Sequence, residues 1–128
     1  MESRFQFSNP VLTSIEFQEN EFRAKKEQSV QIRMNLEIDK KRKENANEAI
    51  VSLKITIGTQ DDTTPFYIEA VESAKFKWSE ELDEERVQKL LNQNAPSLLL
   101  AYLRPMIMQV TAASRYEAYN IPFINFAE

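Results

Sequence analysis

The stretch from Asn94 to Glu128 most constrains what this chain can become. It opens as a helix that is apolar on nearly every side and closes as a run carrying Pro122, Asn125 and Phe126. A helix with no polar face must be covered by its own sheet, by a second subunit or by a bound apolar segment. Leu99, Leu103, Met106, Val110 and Ala113 recur at four-three spacing and predict one buried stripe, which Leu98, Leu100, Tyr102 and Ile107 widen. Pro105 removes a backbone hydrogen bond from the helix interior and predicts a kink. Pro122 disfavours helix at Ile121, so the chain after Tyr116 reads as extended.

The preceding two-thirds of the chain supplies a sheet to cover that helix. Val30, Ile32, Met34, Leu36 and Ile38 alternate with polar residues, as do Val51, Leu53, Ile55 and Ile57. Such period-two runs predict half-buried strands. A third run spans Phe66 to Trp78, with an apparent change of phase that predicts a bulge near Val71 to Ser73. Thr13 to Lys25 reads as an earlier strand. The polar connector Asp39 to Asn47 and the turn-rich Gly58 to Pro65 are too short for crossover helices, so the later three strands are antiparallel neighbours. Asp83 fits an N-cap, with Leu82 and Val87 as a hydrophobic staple, for a short helix ending near Asn94. Pro96 then sits where a second helix starts. The expected fold is α+β: one domain over residues 1–128, a four-stranded antiparallel meander with a short and a long C-terminal helix packed on one face.

Composition narrows the chemistry. The sequence has no Cys and no His, which removes disulfides, thiol nucleophiles, thiolate metal sites and the commonest neutral-pH base. A single glycine, Gly58, excludes glycine-rich phosphate loops. The residues point to no enzyme, no cofactor and no metal. The net charge of −4 gives no overall pull toward nucleic acid. The apolar run Leu98 to Leu103 is too short for membrane insertion, and the N-terminus lacks a signal-like apolar segment, so a cytoplasmic location is expected. Lys40-Lys41-Arg42-Lys43 is the one basic cluster and reads as a solvated hairpin tip. Asp61-Asp62-Thr63-Thr64 reads as turn chemistry rather than a metal loop. The acidic run Glu80 to Glu85 complements a helix dipole. Phe66, Phe76, Trp78, Tyr102, Tyr116, Tyr119, Phe123 and Phe126 crowd the second half of the chain. One sheet face cannot cover all sides of the long helix, and the surplus apolar surface predicts an oligomer interface or a groove.

Pro96-Ser97-x-Leu99-x-x-Tyr102-x-Arg104-x-x-Ile107, then Arg115, then Pro122-x-x-Asn125-Phe126, resembles the C-terminal half of SecB-type protein-export chaperones, closest to small SecB-like proteins of low-GC Gram-positive bacteria. With the order of elements, the resemblance covers residues 11 to 126. It implies a homodimer or homotetramer that holds unfolded or precursor polypeptides, without ATP, in apolar grooves between the long helix and the sheet. On that basis Phe76, Trp78, Leu99, Tyr102 and Met106 are the expected groove residues, with Met side chains adapting to varied clients. The family's zinc-binding tail, one contact with the SecA motor, is missing because this sequence stops at Glu128, which leaves a SecA contact doubtful. The alternative reading is a non-enzymatic oligomeric module with one specific protein partner.

Overall fold

A computed structural model describes residues 3–22 and 32–127. Its strands are β1 (Phe5–Phe7), β2 (Val11–Glu19), β3 (Met34–Arg42), β4 (Glu48–Gly58) and β5 (Phe66–Trp78), all antiparallel in one sheet. The expected positions Val30 and Gln31 of β3, and Arg23 to Lys25 of the first strand, lie outside the described residues.

Among the described residues there are five strands where the sequence predicts four, because the first is split. Pro10 has no N–H to give to a ladder, and β1 and β2 flank it on the same edge of β5. Ser8 bridges the gap: its N–H donates to the Lys75 carbonyl at 2.9 Å, and its hydroxyl accepts from the Lys75 N–H at 3.0 Å. The order is also not a simple meander. β3, β4 and β5 are sequential neighbours as expected, but β1 and β2 sit beside β5, the last strand. Placing the first strand against the last makes the sheet a Greek key.

β5 carries no bulge. Phe66, Ile68, Ala70, Glu72, Ala74, Phe76 and Trp78 all point to the buried face, and its register with β4 is unbroken from Gly58↔Tyr67 to Glu48↔Lys77. The phase looks broken in the sequence only because a carboxylate, Glu72, occupies a core-facing position. The irregularity belongs to β2, whose Thr13 is the extra residue opposite Val71 and Glu72. The β4–β5 turn is closed by side chains. Asp61 accepts from the Thr63 N–H at 2.9 Å and the Thr59 hydroxyl at 2.7 Å, and hydrogen bonds from Thr63 and Thr59 hold its carboxyl below the ordinary range. The buried Asn20 amide donates to the Thr59 and Thr64 carbonyls, at 2.7 and 3.0 Å, and ties this turn to the end of β2.

Asp83 caps α1 (Glu84–Lys89) as expected, accepting from the Arg86 N–H at 2.8 Å. The helix does not stop before Pro96. It passes through a π-turn at Leu90–Asn94, where the Ala95 N–H bonds the Leu90 carbonyl, straight into α2 (Ala95–Ala112). The wider turn lets the chain pass Pro96, whose nitrogen has no hydrogen to donate. α2 continues through Pro105, which lies on the exposed side. Its buried stripe is Leu99, Leu103, Ile107 and Thr111 with Leu100, rotated from the predicted one; Met106 and Val110 are half-buried and Ala113 is exposed.

α2 lies over β4 and β5, and the core forms between Val51, Leu53, Ile55, Ile57, Ile68, Phe76 and this stripe. Each large side chain enclosed there contributes about 1.5–3 kcal/mol. The opposite face of the sheet is mostly polar, Val11, Ile50 and Val71 apart, with a Lys54–Glu69 ion pair at 3.3 Å and a Ser52–Ser73 hydrogen bond at 2.7 Å. The fold is therefore one-sided, with every helix on one face.

Candidate functional site

What remains open on the helical face depends on the last fourteen residues before Glu128. This tail turns back along α2. The Tyr119 N–H donates to the Thr111 hydroxyl at 2.7 Å, and the Arg104 guanidinium donates to the main-chain carbonyls of Ile121 and Pro122, the latter at 2.8 Å. Tyr116 and Tyr119 pack against Phe66, which also meets Phe17 of β2, and Arg115 pairs with Glu19 of β2. Ile121 is buried. The tail thus fills the flank of α2 on the β2 side, leaving a polar-rimmed cleft of about 450 Å³ between Ser97, Arg104 and Asn125.

The other flank is left open. Successive helical residues turn by about 100°, so Tyr102 points opposite Arg104, and Leu98 and Met106 share the Tyr102 side. That side faces away from the tail; α2 crosses β4 and β5, and β3 is the next strand beyond β4. Tyr102 is 43% exposed, and Leu98 and Met106 are half-buried. On β3, Met34 and Leu36 are half-buried and Ile38 is 38% exposed. Three residues of α2 and three inward-facing residues of β3 are thus apolar and incompletely covered, with the enclosed side chains of β4 between them.

The five expected groove residues divide. Tyr102 and Met106 lie on the open flank, exposed and half-buried. Leu99, Phe76 and Trp78 do not, since they are enclosed in the core. Phe5 of β1 stacks on Phe76 at 5.3 Å between ring centroids and lies 6.4 Å from Trp78. The Arg42 guanidinium sits 5.0 Å from the centre of the Trp78 ring and is bound to Glu84 of α1, with one contact at 3.0 Å. That bond, then a second from Gln88, pulls the exposed Glu84 carboxyl down to about 2. A strand and a cation, neither adjacent in sequence, therefore close the aromatic pair off. Met34, Leu36, Ile38 and Leu98 are absent from the sequence-based site. The alternation of β3 was visible, but nothing local showed that β3 lies beyond the cover of α2.

Among the described residues Glu72 is the one buried carboxylate on the core face of the sheet, 3% exposed, between Leu53 of β4 and Leu12 of β2. Burial raises its pKa. A group whose folded pKa lies above its unfolded value holds its proton better when folded. Its contribution to stability is thus complete below the unfolded value and is lost as pH rises through the folded one. Acidification from neutral pH to the ordinary carboxylate value of 4.5 is expected to stabilise the wild type more than Glu72→Gln, as read from urea midpoints. Glu84 has the opposite sign, and its contribution is lost only as pH falls toward about 2, below that window.

Among the described residues no three carboxylates converge to hold a metal ion, and no helix is long and apolar enough to cross a membrane. The architecture is that of a one-sided α+β domain with an apolar flank left open on its long helix. Comparison gives that class a family. Residues 11–128 match the family described as SecB, preprotein translocase subunit SecB, and the chain belongs to it. An uncharacterised protein of Methanocaldococcus jannaschii is 32% identical over 126 residues, covering 94% of this chain and 79% of that protein. A similar solved structure is the SecB-like chaperone Rv1957 of Mycobacterium tuberculosis, in complex with a ChAD peptide from the HigA1 antitoxin. It aligns with a TM-score of 0.73 at 14% identity, over 94% of this chain and 91% of that one, a likeness of fold.

Proposed function

We propose that this protein binds extended, non-native polypeptide on the shelf formed by Leu98, Tyr102 and Met106 of α2 and Met34, Leu36 and Ile38 of β3. The observation that carries the reading is the 43% exposure of Tyr102 on the flank of α2 that the tail leaves open. An apolar client side chain buried there contributes about 1.5–3 kcal/mol, and several such contacts hold a segment without demanding a particular sequence. Membership of the SecB family and a fold shared with a chaperone in complex with a peptide support this role. The protein acts without nucleotide and without catalysis, in the cytoplasm, as a homodimer or homotetramer that covers part of the remaining apolar surface. The name of the family favours precursor proteins among its clients.

Light scattering from a chemically denatured test protein provides the check. Wild type is expected to suppress aggregation, and Tyr102→Ala combined with Met106→Ala to lose most of that effect while keeping its circular dichroism. Undiminished suppression would place the site elsewhere. A second reading, a module for one defined partner, is favoured by the single antitoxin peptide held by the structural neighbour. A pull-down with one stoichiometric partner, and no affinity for denatured test proteins, would select it.

A further inference from the structure

We propose that the outer face of the sheet, at the β3–β4 hairpin, docks an acidic polypeptide segment that carries an aliphatic side chain among its carboxylates. The surface lies on the side of the sheet away from α2, so the proposal does not rest on the shelf described above.

Lys41, Ile50 and Lys75 lie side by side across β3, β4 and β5, in direct register, all on the outer face. Lys77 stands in the next outward position of β5, opposite Glu48, and Lys43 follows the end of β3. A cavity of about 550 Å³ opens here, with Lys41, Lys43, Glu48, Ile50 and Lys75 in its wall. Together with Lys40 and Arg42, six of the sixteen Lys and Arg residues of a chain with net charge −4 meet at this one end of the sheet.

The hairpin divides these cations by function. Arg42 and Lys40 turn to the helical side, where they bind Glu84 and Asn92. Lys75 pairs with Glu48 at 3.3 Å. Among the described residues Lys41, Lys43 and Lys77 make no ion pair. Ile50 is 47% exposed between two lysines. Lysines flanking an aliphatic side chain match a peptide that presents carboxylates around a Leu, Ile or Val. Nucleic acid fits less well, because Ile50 offers no ring for a base to stack on.

The test is fluorescence anisotropy of the full chain with a short labelled peptide of Glu and Asp around one central Leu. Comparison probes are the same peptide with Ser for Leu, a Lys/Leu peptide and a single-stranded RNA. Saturable binding of the Glu/Asp/Leu probe that weakens with salt is expected. Lys41→Glu with Lys77→Glu is expected to weaken it about tenfold, since two exposed attractions become repulsions. Lys89→Glu, an exposed charge reversal on α1, should leave it within about twofold. Ile50→Ser should remove the preference for Leu over Ser. All these positions are exposed, and unchanged thermal midpoints verify folding. Absence of binding, equal binding of the Lys/Leu peptide, or insensitivity to the double reversal overturns the proposal. Tighter binding of RNA overturns it in favour of a nucleic-acid surface.

Discussion

Gly58→Val is expected to destabilise the domain by about 3–5 kcal/mol, as large an effect as single substitutions commonly produce. Gly58 ends β4 with φ of +79°, and a Cβ added there would lie 2.1 Å from the Phe66 carbonyl oxygen and 3.1 Å from the Thr64 hydroxyl. The left-handed backbone alone costs a residue with a side chain about 1–2 kcal/mol. The carbonyl contact adds more, because it is backbone and can yield only by opening the turn. That movement would break the bonds from Asn20 to Thr59 and Thr64, which join the turn to β2. Urea unfolding measures the loss. A drop below about 1 kcal/mol would mean that the turn relaxes without disturbing Asn20.

Leu103→Ala is expected to lower stability by about 2–5 kcal/mol. Leu103 is enclosed at the centre of the α2 stripe, among strands whose facing residues are also enclosed. Four heavy atoms become one, and neighbours held by the β4–β5 ladder collapse little into the space. Tyr102→Ala, one residue away, removes a larger side chain from the open flank and is expected to cost less than about 1 kcal/mol. Paired denaturation curves for these variants test the placement of α2 directly. Equal losses, or a reversed order, would show that the helix is rotated from the position described here.

The alternation in β3 and β4 made those strands and their pairing legible, because each has one wet and one dry face. Asp83 announced α1 through the same short-range chemistry that caps it. β1 was missed because Phe5-Gln6-Phe7 is too short to establish a period and Pro10 separates it from β2. Glu72 hid the continuity of β5, since a carboxylate at an inward position mimics a change of phase. Pro96 does stand in the first turn of α2, as its missing hydrogen suggests, but a π-turn rather than a break leads into it. The family resemblance placed the helix and tail correctly in order, and the match over residues 11–128 accords with it. The candidate site was legible only in part. Tyr102 and Met106 were recognised as surplus apolar residues, but which surplus stays open is decided by where the tail lies. Arg104 holds that tail through main-chain carbonyls, and no side-chain pattern advertises such a contact.

The Greek-key order has a consequence for how the chain assembles. β3, β4 and β5 can zip together through short turns, each closing at small entropic cost. β1 and β2 emerge first during synthesis but find their partner only when β5 has followed, so their pairing carries the longest sequence separation in the sheet. Contacts of that range form slowly. The exposed Val11 and Ile15 therefore belong to the edge that waits longest. The tail packs beside that edge, against Phe66, which Phe17 also meets, and through the Arg115–Glu19 pair, and completes it last. A nascent chain of this protein passes through a stage in which it carries an unpaired apolar strand of its own.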